Sequence, residues 1–379
     1  MYLNRILISN FKNIKEADIR FSKKINCIWG NNGEGKTNLL DAIYYLSTTK
    51  SFFNSSDTYT FKFNENSTAL NGSYITDCNT EEKISIGIKI GSEKIVKRND
   101  KQYQRLADHI GLIPIVMVSP ADTCLINEGG DERRKFMNII LSQVDREYLK
   151  RIQNYNQLLV QRNRLLKMQD ISMELLDTLG MQMDSHATYI YDKRKQLCQE
   201  LSESVMEFYK VLSGSKETIS LKFTSDLDKG KLANLFATSF ERDMFLRYTS
   251  IGIQRDDIEF NMEGYPIRKC GSQGQQKSFL ISLKLAQFVI MKKLHGIIPI
   301  LLLDDVFDKL DMQRVEYLLN LVANDSFGQI FISDSNKVRM AGIVERIKSS
   351  RKSFEVKAGV YNEVEENVID GEMPKIYRI

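Results

Sequence analysis

A glycine-rich segment near the start of the chain has the residue types and spacing needed to hold phosphate. It fits the pattern GxxxxGK[ST] and reads Gly30-Asn31-Asn32-Gly33-Glu34-Gly35-Lys36-Thr37. Its glycines let backbone N–H groups wrap a phosphate, while Lys36 would reach the terminal phosphates of a nucleotide and the Thr37 hydroxyl would bind Mg²⁺. We therefore predict a nucleotide and Mg²⁺ site here, with Asn38 as its last cofactor-binding residue.

Two acidic residues follow an apolar segment much further along the chain. Residues 298–303 are apolar, and Asp304 and Asp305 come directly after them. A buried strand of this kind would deliver Asp304 to the Mg²⁺ ion, and Asp305 stands where a water-activating carboxylate belongs. An acidic turn after a core strand is the alternative, but beside a phosphate loop the functional reading is favoured. We predict both aspartates as catalytic and Asp304 also as a metal ligand.

A third motif, Ser272-Gln273-Gly274-Gln275, precedes a segment with helical spacing. Ser272 would cap that helix and offer its hydroxyl to a phosphate, and Gly274 would allow close backbone approach. Taken alone, an ordinary helix cap explains the motif better. Its position shortly before Asp304 reverses that preference, and we predict Ser272, Gly274 and Gln275 as further cofactor-binding residues.

Hydrophobic spacing indicates the elements that would position these motifs. Residues 25–29 form a short apolar strand before the glycine-rich segment, and apolar residues at helical spacing begin near Lys36. Residues 51–115 alternate as strands do, and residues 130–210 have helical periodicity. The pattern predicts an α/β fold.

We divide the chain into a discontinuous ATPase head, residues 1–125 and 215–379, with a helical lobe inserted at 126–214. The sequence has no sustained heptad repeat, so we predict no long coiled coil.

The composition is that of a globular protein with a core of normal size. The chain has 379 residues, of which 42% are hydrophobic and 27% are charged, and its net charge is +4. The five cysteines are widely spaced, and neither an export signal nor a membrane-spanning run is evident, so we expect a cytoplasmic protein.

The order of the motifs resembles that of ABC ATPases. In that family a signature motif, a strand ending in acidic residues and a D-loop follow one another, and Asp308-Lys309-Leu310-Asp311 stands at the D-loop position. Many ABC proteins then have a histidine that senses the terminal phosphate. Here Ser333 or Asp334 stands at that position.

A finer resemblance, over nearly the whole chain, is to the RecF family. Beyond the glycine-rich segment, the segments that carry it include Ser119-Pro120-Ala121-Asp122, Gly130–Phe136, Gln161-Arg162-Asn163 and Arg255-Asp256-Asp257. The family usually has Gly-Pro-His just before the last of these segments, and this chain has Gly252-Ile253-Gln254. SMC and Rad50 proteins insert long coiled coils between the phosphate loop and the signature, which this chain does not have.

The resemblance implies an ATP-dependent homodimer in which each phosphate loop faces the partner's signature motif. It also implies binding to duplex or gapped DNA, a part in DNA replication, DNA damage repair and the SOS response, and cooperation with mediator proteins of the RecO/RecR type that load recombinase. We expect a weak, DNA-stimulated ATPase, because Asp305 is shorter than the glutamate common at its position. An ABC-type subunit of a transporter or of a nuclease complex is the alternative.

With so little net charge, DNA contacts must come from local basic clusters. The candidates lie in the helical lobe and are Arg133, Arg134, Arg162, Lys193 and Arg194. A solvated basic face competes with this interpretation at each of them. No interleaving of aromatic and basic residues along the sequence marks a platform for single strands.

Overall fold

The computed structural model describes residues 1–54, 56–214, 217–308, 310, 314–318, 327–346 and 350–364, so Lys309 and Asp311 of the predicted D-loop lie outside the described residues. Its strands are β1 Tyr2–Phe11, β2 Ile14–Arg20, β3 Ile25–Trp29, β4 Ser67–Ile75, β5 Glu81–Lys89, β6 Ile95–Arg98, β7 Lys101–Gln102, β8 Ile115–Val118, β9 Ile219–Thr224, β10 Asp257–Met262, β11 Tyr265–Pro266, β12 Ile300–Asp304, β13 Ile330–Asp334, β14 Arg351–Lys357 and β15 Val360–Glu363. Its α-helices are α1 Lys36–Thr48, α2 Cys124–Asn127, α3 Gly130–Val144, α4 Arg146–Leu165, α5 Met173–Ser213, α6 Leu232–Leu246, α7 Ile267–Cys270, α8 Gln273–His295 and α9 Lys337–Arg346.

A six-stranded, mainly parallel sheet forms the centre of the head, in the order β15-β14-β3-β13-β12-β8. Strands β3, β12 and β13 are buried along their whole length, as their apolar sequences predict. In register, Asp304 pairs with Ser333, and Asp334 pairs with Trp29. The carboxyl ends of these three neighbouring strands therefore meet at one edge, and the glycine-rich segment leaves β3 at that edge. This arrangement confirms the predicted α/β fold.

Helix α1 connects this central sheet to a second, antiparallel sheet of order β2-β1-β4-β5-β6-β7. The helix contacts strands of both sheets, and its apolar residues Leu39, Leu40, Ile43 and Leu46 are fully buried. One hydrophobic core joins the helix and the inner faces of the two sheets. Because the helix is held on both sides, its N-terminus, which carries the phosphate loop, has a fixed position.

The helical lobe is built around α5, which spans 41 residues. Helix α5 packs against α4, α6 and α8 and against β9 of a small sheet of order β11-β10-β9. Helix α6 follows the predicted lobe boundary at residue 214, yet it packs on α5, where Phe236 lies over Gly180. One hydrophobic core spans the lobe and the neighbouring face of the central sheet. Among the described helices, none is long and apolar enough to cross a membrane.

Candidate nucleotide site

The glycine-rich segment folds into a loop that only glycine tolerates at two of its turns. Gly33 and Gly35 have φ values of 84° and 116°, in the region that side chains avoid. Gly30 must also be a glycine, because a Cβ there would lie 2.3 Å from the Val356 carbonyl oxygen. The loop thus wraps closely over the N-terminus of α1, where unpaired backbone N–H groups attract anions.

Lys36 lies inside the curve of this loop and is almost fully buried. Its ammonium donates hydrogen bonds to the carbonyl oxygens of Gly30 (2.8 Å) and Asn31 (2.9 Å). These neutral acceptors hold the cation at the position where an anion bound by the loop would meet it. The geometry agrees with a phosphate-binding role.

Other parts of the chain fix the shape of the loop. Asn13 donates to the Gly33 carbonyl oxygen (3.1 Å) and accepts from Asn38 (2.7 Å). The Tyr361 hydroxyl donates to the Gly35 carbonyl oxygen (2.9 Å), and the Glu34 carboxylate accepts from the backbone N–H of Ala358. Asn38 and Glu34, predicted as cofactor-binding residues, are thus engaged in holding the loop. Tyr361 carried no recognisable signal in the sequence, because its contact depends on β15 returning to this edge.

Asp304 is the centre of the site and is surrounded by hydroxyl groups. It accepts hydrogen bonds from Thr37 (3.0 Å), Ser333 (2.7 Å) and Ser119 (3.4 Å). Burial raises the pKa of this carboxyl, although the hydroxyls of Ser333 and Thr37 oppose the shift, and nearby Asp305 raises it further. Carboxylate and hydroxyl oxygens are suitable ligands for Mg²⁺, so the donor set fits the predicted ion.

Ser119 was not among the predicted site residues, although its motif is part of the family resemblance. Its backbone N–H donates to Asp122 (2.8 Å), and Asp122 forms a buried ion pair with Lys284 of α8 (2.8 Å). Burial raises the pKa of Asp122, and the Lys284 ammonium opposes that shift. The pair anchors the Ser119 segment between the site and α8.

Asp305 begins the turn after β12 and has a left-handed backbone with φ of 46°. Its N–H donates to the Ser333 carbonyl oxygen (3.2 Å). Burial raises the pKa of its carboxyl, the Lys36 charge lowers it and Asp334 raises it. A carboxylate with a raised pKa at the mouth of a phosphate loop suits proton transfer from water.

The two residues at the histidine position have separate contacts. The Ser333 hydroxyl is bonded to Asp304, as described above. Asp334 is fully buried and forms a two-point ion pair with Arg339 (2.7 and 3.0 Å), and it also accepts from the backbone N–H of Asn336 (2.7 Å). These bonds give Asp334 a structural role in the turn between β13 and α9.

The Ser272 motif forms the exposed N-terminus of α8. Ser272 and Gln275 make a capping box, in which the Gln275 N–H donates to the Ser272 hydroxyl (3.3 Å) and the Ser272 N–H donates to the Gln275 side chain (2.7 Å). Gln275 also donates to Glu217 (2.7 Å), and the Gly274 carbonyl oxygen accepts from Arg314 (3.3 Å). This capping box agrees with the interpretation of the motif as an ordinary helix cap. An exposed helix N-terminus also attracts phosphate.

The predicted DNA contacts are mostly engaged inside the protein. Arg162 and Arg194 are buried and pair with Asp243 (2.8 Å) and Asp256 (2.7 Å). Such guanidinium groups present nothing to a DNA backbone, and we correct the prediction at these two positions accordingly.

The other three candidates are closer to the surface. Arg133 makes a two-point pair with Asp257 (2.6 and 2.8 Å), while Arg134 bonds the Asp256 carbonyl oxygen (2.7 Å). Lys193 pairs with Asp145 at 3.3 Å and is 37% exposed. Of the five candidates, Lys193 offers the most accessible charge.

Gln254 stands at the position where the RecF-like pattern has histidine. Its amide oxygen accepts from the Tyr155 hydroxyl (2.6 Å), and its amide nitrogen donates to the Ile251 carbonyl oxygen (2.8 Å). The residue therefore joins α4 to the segment before β10. Its contacts serve the lobe interior.

Comparison with known proteins gives four informative matches. The RecF/RecN/SMC N-terminal domain pattern matches residues 2–353. The DNA replication and repair protein RecF of Parabacteroides distasonis is 44% identical over 366 residues, which cover 97% of this chain and 100% of that protein. A solved structure of the recombination mediator protein RecF with ATP, from the RecFOR pathway, has a TM-score of 0.86 and 28% identity and covers 96% of this chain and 98% of its own. An Smc head bound to the C-terminal winged-helix domain of ScpA, with a TM-score of 0.57 and 17% identity, shares the fold.

Proposed function

The chain belongs to the RecF family, and from this we propose that it is an ATP-dependent DNA-binding protein of recombinational repair and replication. Two copies close on ATP over duplex or gapped DNA in the cytoplasm. The closed dimer then helps mediator proteins of the RecO/RecR type to load recombinase at single-strand gaps. ATP hydrolysis is slow and DNA-stimulated, and DNA binding is the main activity.

The observation that carries the proposal is the hydrogen bond from Thr37 to Asp304 (3.0 Å). It joins the phosphate loop to the strand-end carboxylate, so one Mg²⁺ ion could contact both residues and the phosphates. The ion would supply positive charge to the β- and γ-phosphate oxygens. Lys36 would exchange its two backbone carbonyl partners for phosphate oxygens, which gain more from a cation.

The dimer follows from the second phosphate-binding element. Ser272 is exposed, and the bonds of its capping box lie within its own helix. A head-to-tail pair would place this helix N-terminus over the partner's nucleotide. ATP would then contact both chains, which explains why nucleotide should control assembly.

Slow hydrolysis follows from two side chains. Asp305 is shorter than glutamate by one methylene, about 1.5 Å, so it positions water less closely. Asp334 is held by Arg339 and the backbone N–H of Asn336, which leaves no histidine-like sensor at this position. We expect a turnover below the enzyme median of about 10 s⁻¹, and a faster rate measured with saturating DNA would contradict this part of the proposal.

Particle size with and without ATP tests the dimer. Aspartate caps helices about as well as serine does, so Ser272→Asp should leave α8 and overall stability intact. Its carboxylate would repel the partner's phosphates, and we expect this variant to bind ATP while remaining monomeric. Ser272→Asn, a neutral cap, is the matched control and should still dimerise. Wild-type dimerisation by Ser272→Asp would overturn the head-to-tail model.

DNA affinity in different nucleotide states tests the link to function. The dimer brings two copies of each basic surface onto one DNA molecule and so raises the number of phosphate contacts. Duplex and gapped DNA should bind tightly with ATP and weakly with ADP, and the affinity should fall steeply with salt. DNA should in turn favour the ATP-bound dimer. Equal affinities with ATP, with ADP and without nucleotide would overturn the ATP-dependent clamp.

A further inference from the structure

Two helix ends that are distant in sequence, those of α4 and α6, meet beside one another. The Arg247 guanidinium, just after α6, donates to the carbonyl oxygen of Leu166, just after α4 (3.1 Å). The Thr249 N–H donates to the Asn163 side chain (2.7 Å). We call the surface formed by residues 163–168 and 242–255 the lobe tip.

The lobe tip carries five exposed basic residues. Arg247 is bonded to the Leu166 carbonyl oxygen, and we consider the other four, which are Arg164, Lys167, Arg242 and Arg255. Within the part of the chain that the structure describes, none of them forms an ion pair with a carboxylate, unlike the five basic residues predicted from the sequence to contact DNA. Asp170 and Glu241 are the exposed acidic residues nearest in sequence. The tip therefore presents positive charge that is free to meet an anion.

Two aromatic rings lie among these charges. Phe245 is 86% exposed, and Tyr248 is 39% exposed. Phe245 follows Arg242 by three positions on α6, so the two side chains share a face of the helix. The Arg255 guanidinium lies 5.7 Å from the centre of the Tyr248 ring. An exposed phenylalanine ring beside unpaired cations has a flat face available for stacking and charges available for phosphate.

We propose that the lobe tip binds single-stranded DNA. Bases would stack on Phe245 and Tyr248, and the phosphates between them would contact Arg164, Lys167 and Arg242. Proteins that bind single strands combine stacking on aromatic rings with a basic track along the backbone in this way. The inference rests on the proposed function, since a gap places a single strand next to the duplex that the dimer holds.

Base stacking distinguishes single-stranded DNA from other anionic ligands. The full-length chain is used without nucleotide, so that binding by the tip is measured apart from ATP-driven dimerisation. Fluorescence anisotropy compares an oligothymidylate with an abasic strand of the same length. Because stacking on one aromatic ring changes affinity by roughly tenfold, Phe245→Ala should weaken oligothymidylate binding by about that factor and leave the abasic strand unaffected.

Two further variants make the test specific. Phe245→Trp should retain binding, and its emission should be quenched by oligothymidylate but not by the abasic strand. Phe63→Ala removes an equally prominent ring, 88% exposed, from the head, and it should leave binding unchanged. Loss of binding with Phe63→Ala equal to that with Phe245→Ala would overturn the assignment to the tip.

The charges are tested by salt dependence. Replacing Arg164, Lys167 and Arg242 together by alanine should lower the slope of log affinity against log salt by about 2, since each single-strand phosphate contact contributes roughly 0.7. Lys195→Ala and Lys222→Ala remove exposed lysines that pair with Asp228 and Glu259, and should change the slope little.

Two other ligands and one comparison complete the test. Polyglutamate or anionic phosphatidylserine vesicles that bind as tightly as oligothymidylate, with no effect of Phe245→Ala, would overturn the proposal in favour of a general anion surface. If duplex affinity proves independent of ATP while Phe245→Ala still weakens base-dependent binding, the clamp fails and the tip stands. If duplex binding depends on ATP but no base-dependent single-strand binding is found, the clamp stands and the proposal for the tip fails.

Discussion

Two buried aspartates, one in the helical lobe and one at the edge of the central sheet, have different surroundings. Asp256 is paired with the buried guanidinium of Arg194 (2.7 Å). Asp304 accepts from three hydroxyls, those of Thr37, Ser333 and Ser119. Burial raises the pKa of both carboxyls. In the lobe the opposing charge belongs to the chain itself, whereas at the sheet edge hydroxyl dipoles alone oppose the cost of burial.

The difference separates a buried charge that the fold neutralises from one that fits the proposed ligand site. A buried charge is costly unless a partner of opposite sign neutralises it. The Arg194–Asp256 pair meets that requirement within the lobe. Asp304 is given no such cation partner in the part of the chain that the structure describes, which fits the role as a Mg²⁺ ligand that we propose for it. Removing a charge should therefore have opposite effects on stability in the two regions.

The largest effect should come from breaking the pair in the lobe. Arg194→Ala leaves Asp256 buried without its partner, and such a change costs about 3–5 kcal/mol. We expect a loss of this size in the free energy of unfolding, measured with denaturant. Lys193→Ala, next in sequence and half exposed, should cost less than about 1 kcal/mol. An Arg194→Ala protein of normal stability that has lost DNA affinity would restore Arg194 as a DNA contact.

A smaller effect is expected where the lobe pairs neutral groups. The Tyr155 hydroxyl is buried and donates to Gln254 (2.6 Å). Gln254→Ala removes its acceptor, and an unsatisfied buried donor costs about 1–3 kcal/mol. Gln254→His offers a ring nitrogen as acceptor and should lower the denaturation midpoint less than the alanine variant does. If the alanine variant is as stable as the wild type, Gln254 is not part of the structural network.

The smallest change should have the opposite sign. Asp304→Asn removes a buried charge and keeps oxygen and nitrogen atoms for the surrounding hydroxyls, so the metal-free protein should become more stable, by less than the losses expected above. Mg²⁺-dependent ATP binding should be lost at the same time. Thermal unfolding without Mg²⁺ and nucleotide titration with Mg²⁺ measure the two effects.

The pH dependence of that gain follows from the direction of the shift. The pKa of Asp304 is higher in the folded protein than in the unfolded chain. At a pH below the ordinary pKa of aspartate, the carboxyl is neutral in both the folded and the unfolded state, and the stability of the wild type resembles that of the variant. As pH rises through the folded pKa, the wild type loses the stability that it had in acid. The stability advantage of Asp304→Asn should therefore grow as pH rises above the ordinary pKa of aspartate. An advantage confined to strong acid would contradict this prediction.

The sequence by itself determined much of the fold and the centre of the nucleotide site. Strand β3, the start of α1 at Lys36 and the buried strand before Asp305 all lie where the apolar pattern placed them. The reason is that glycine turns, helix caps and strand ends are local features. Their backbone chemistry is set by neighbouring residues, and sequence order shows those neighbours directly.

Tertiary structure alone decided what the basic residues do. The sequence shows that Arg194 is basic, but its partner Asp256 lies 62 positions away, and no local rule predicts that contact. The lobe tip is the converse case, since Arg164 and Phe245 come from segments that are distant in sequence and meet only in the folded protein. Whether an arginine is neutralised or exposed depends on which distant groups share its surroundings, and that is fixed by the burial and pairing of charges when the chain folds.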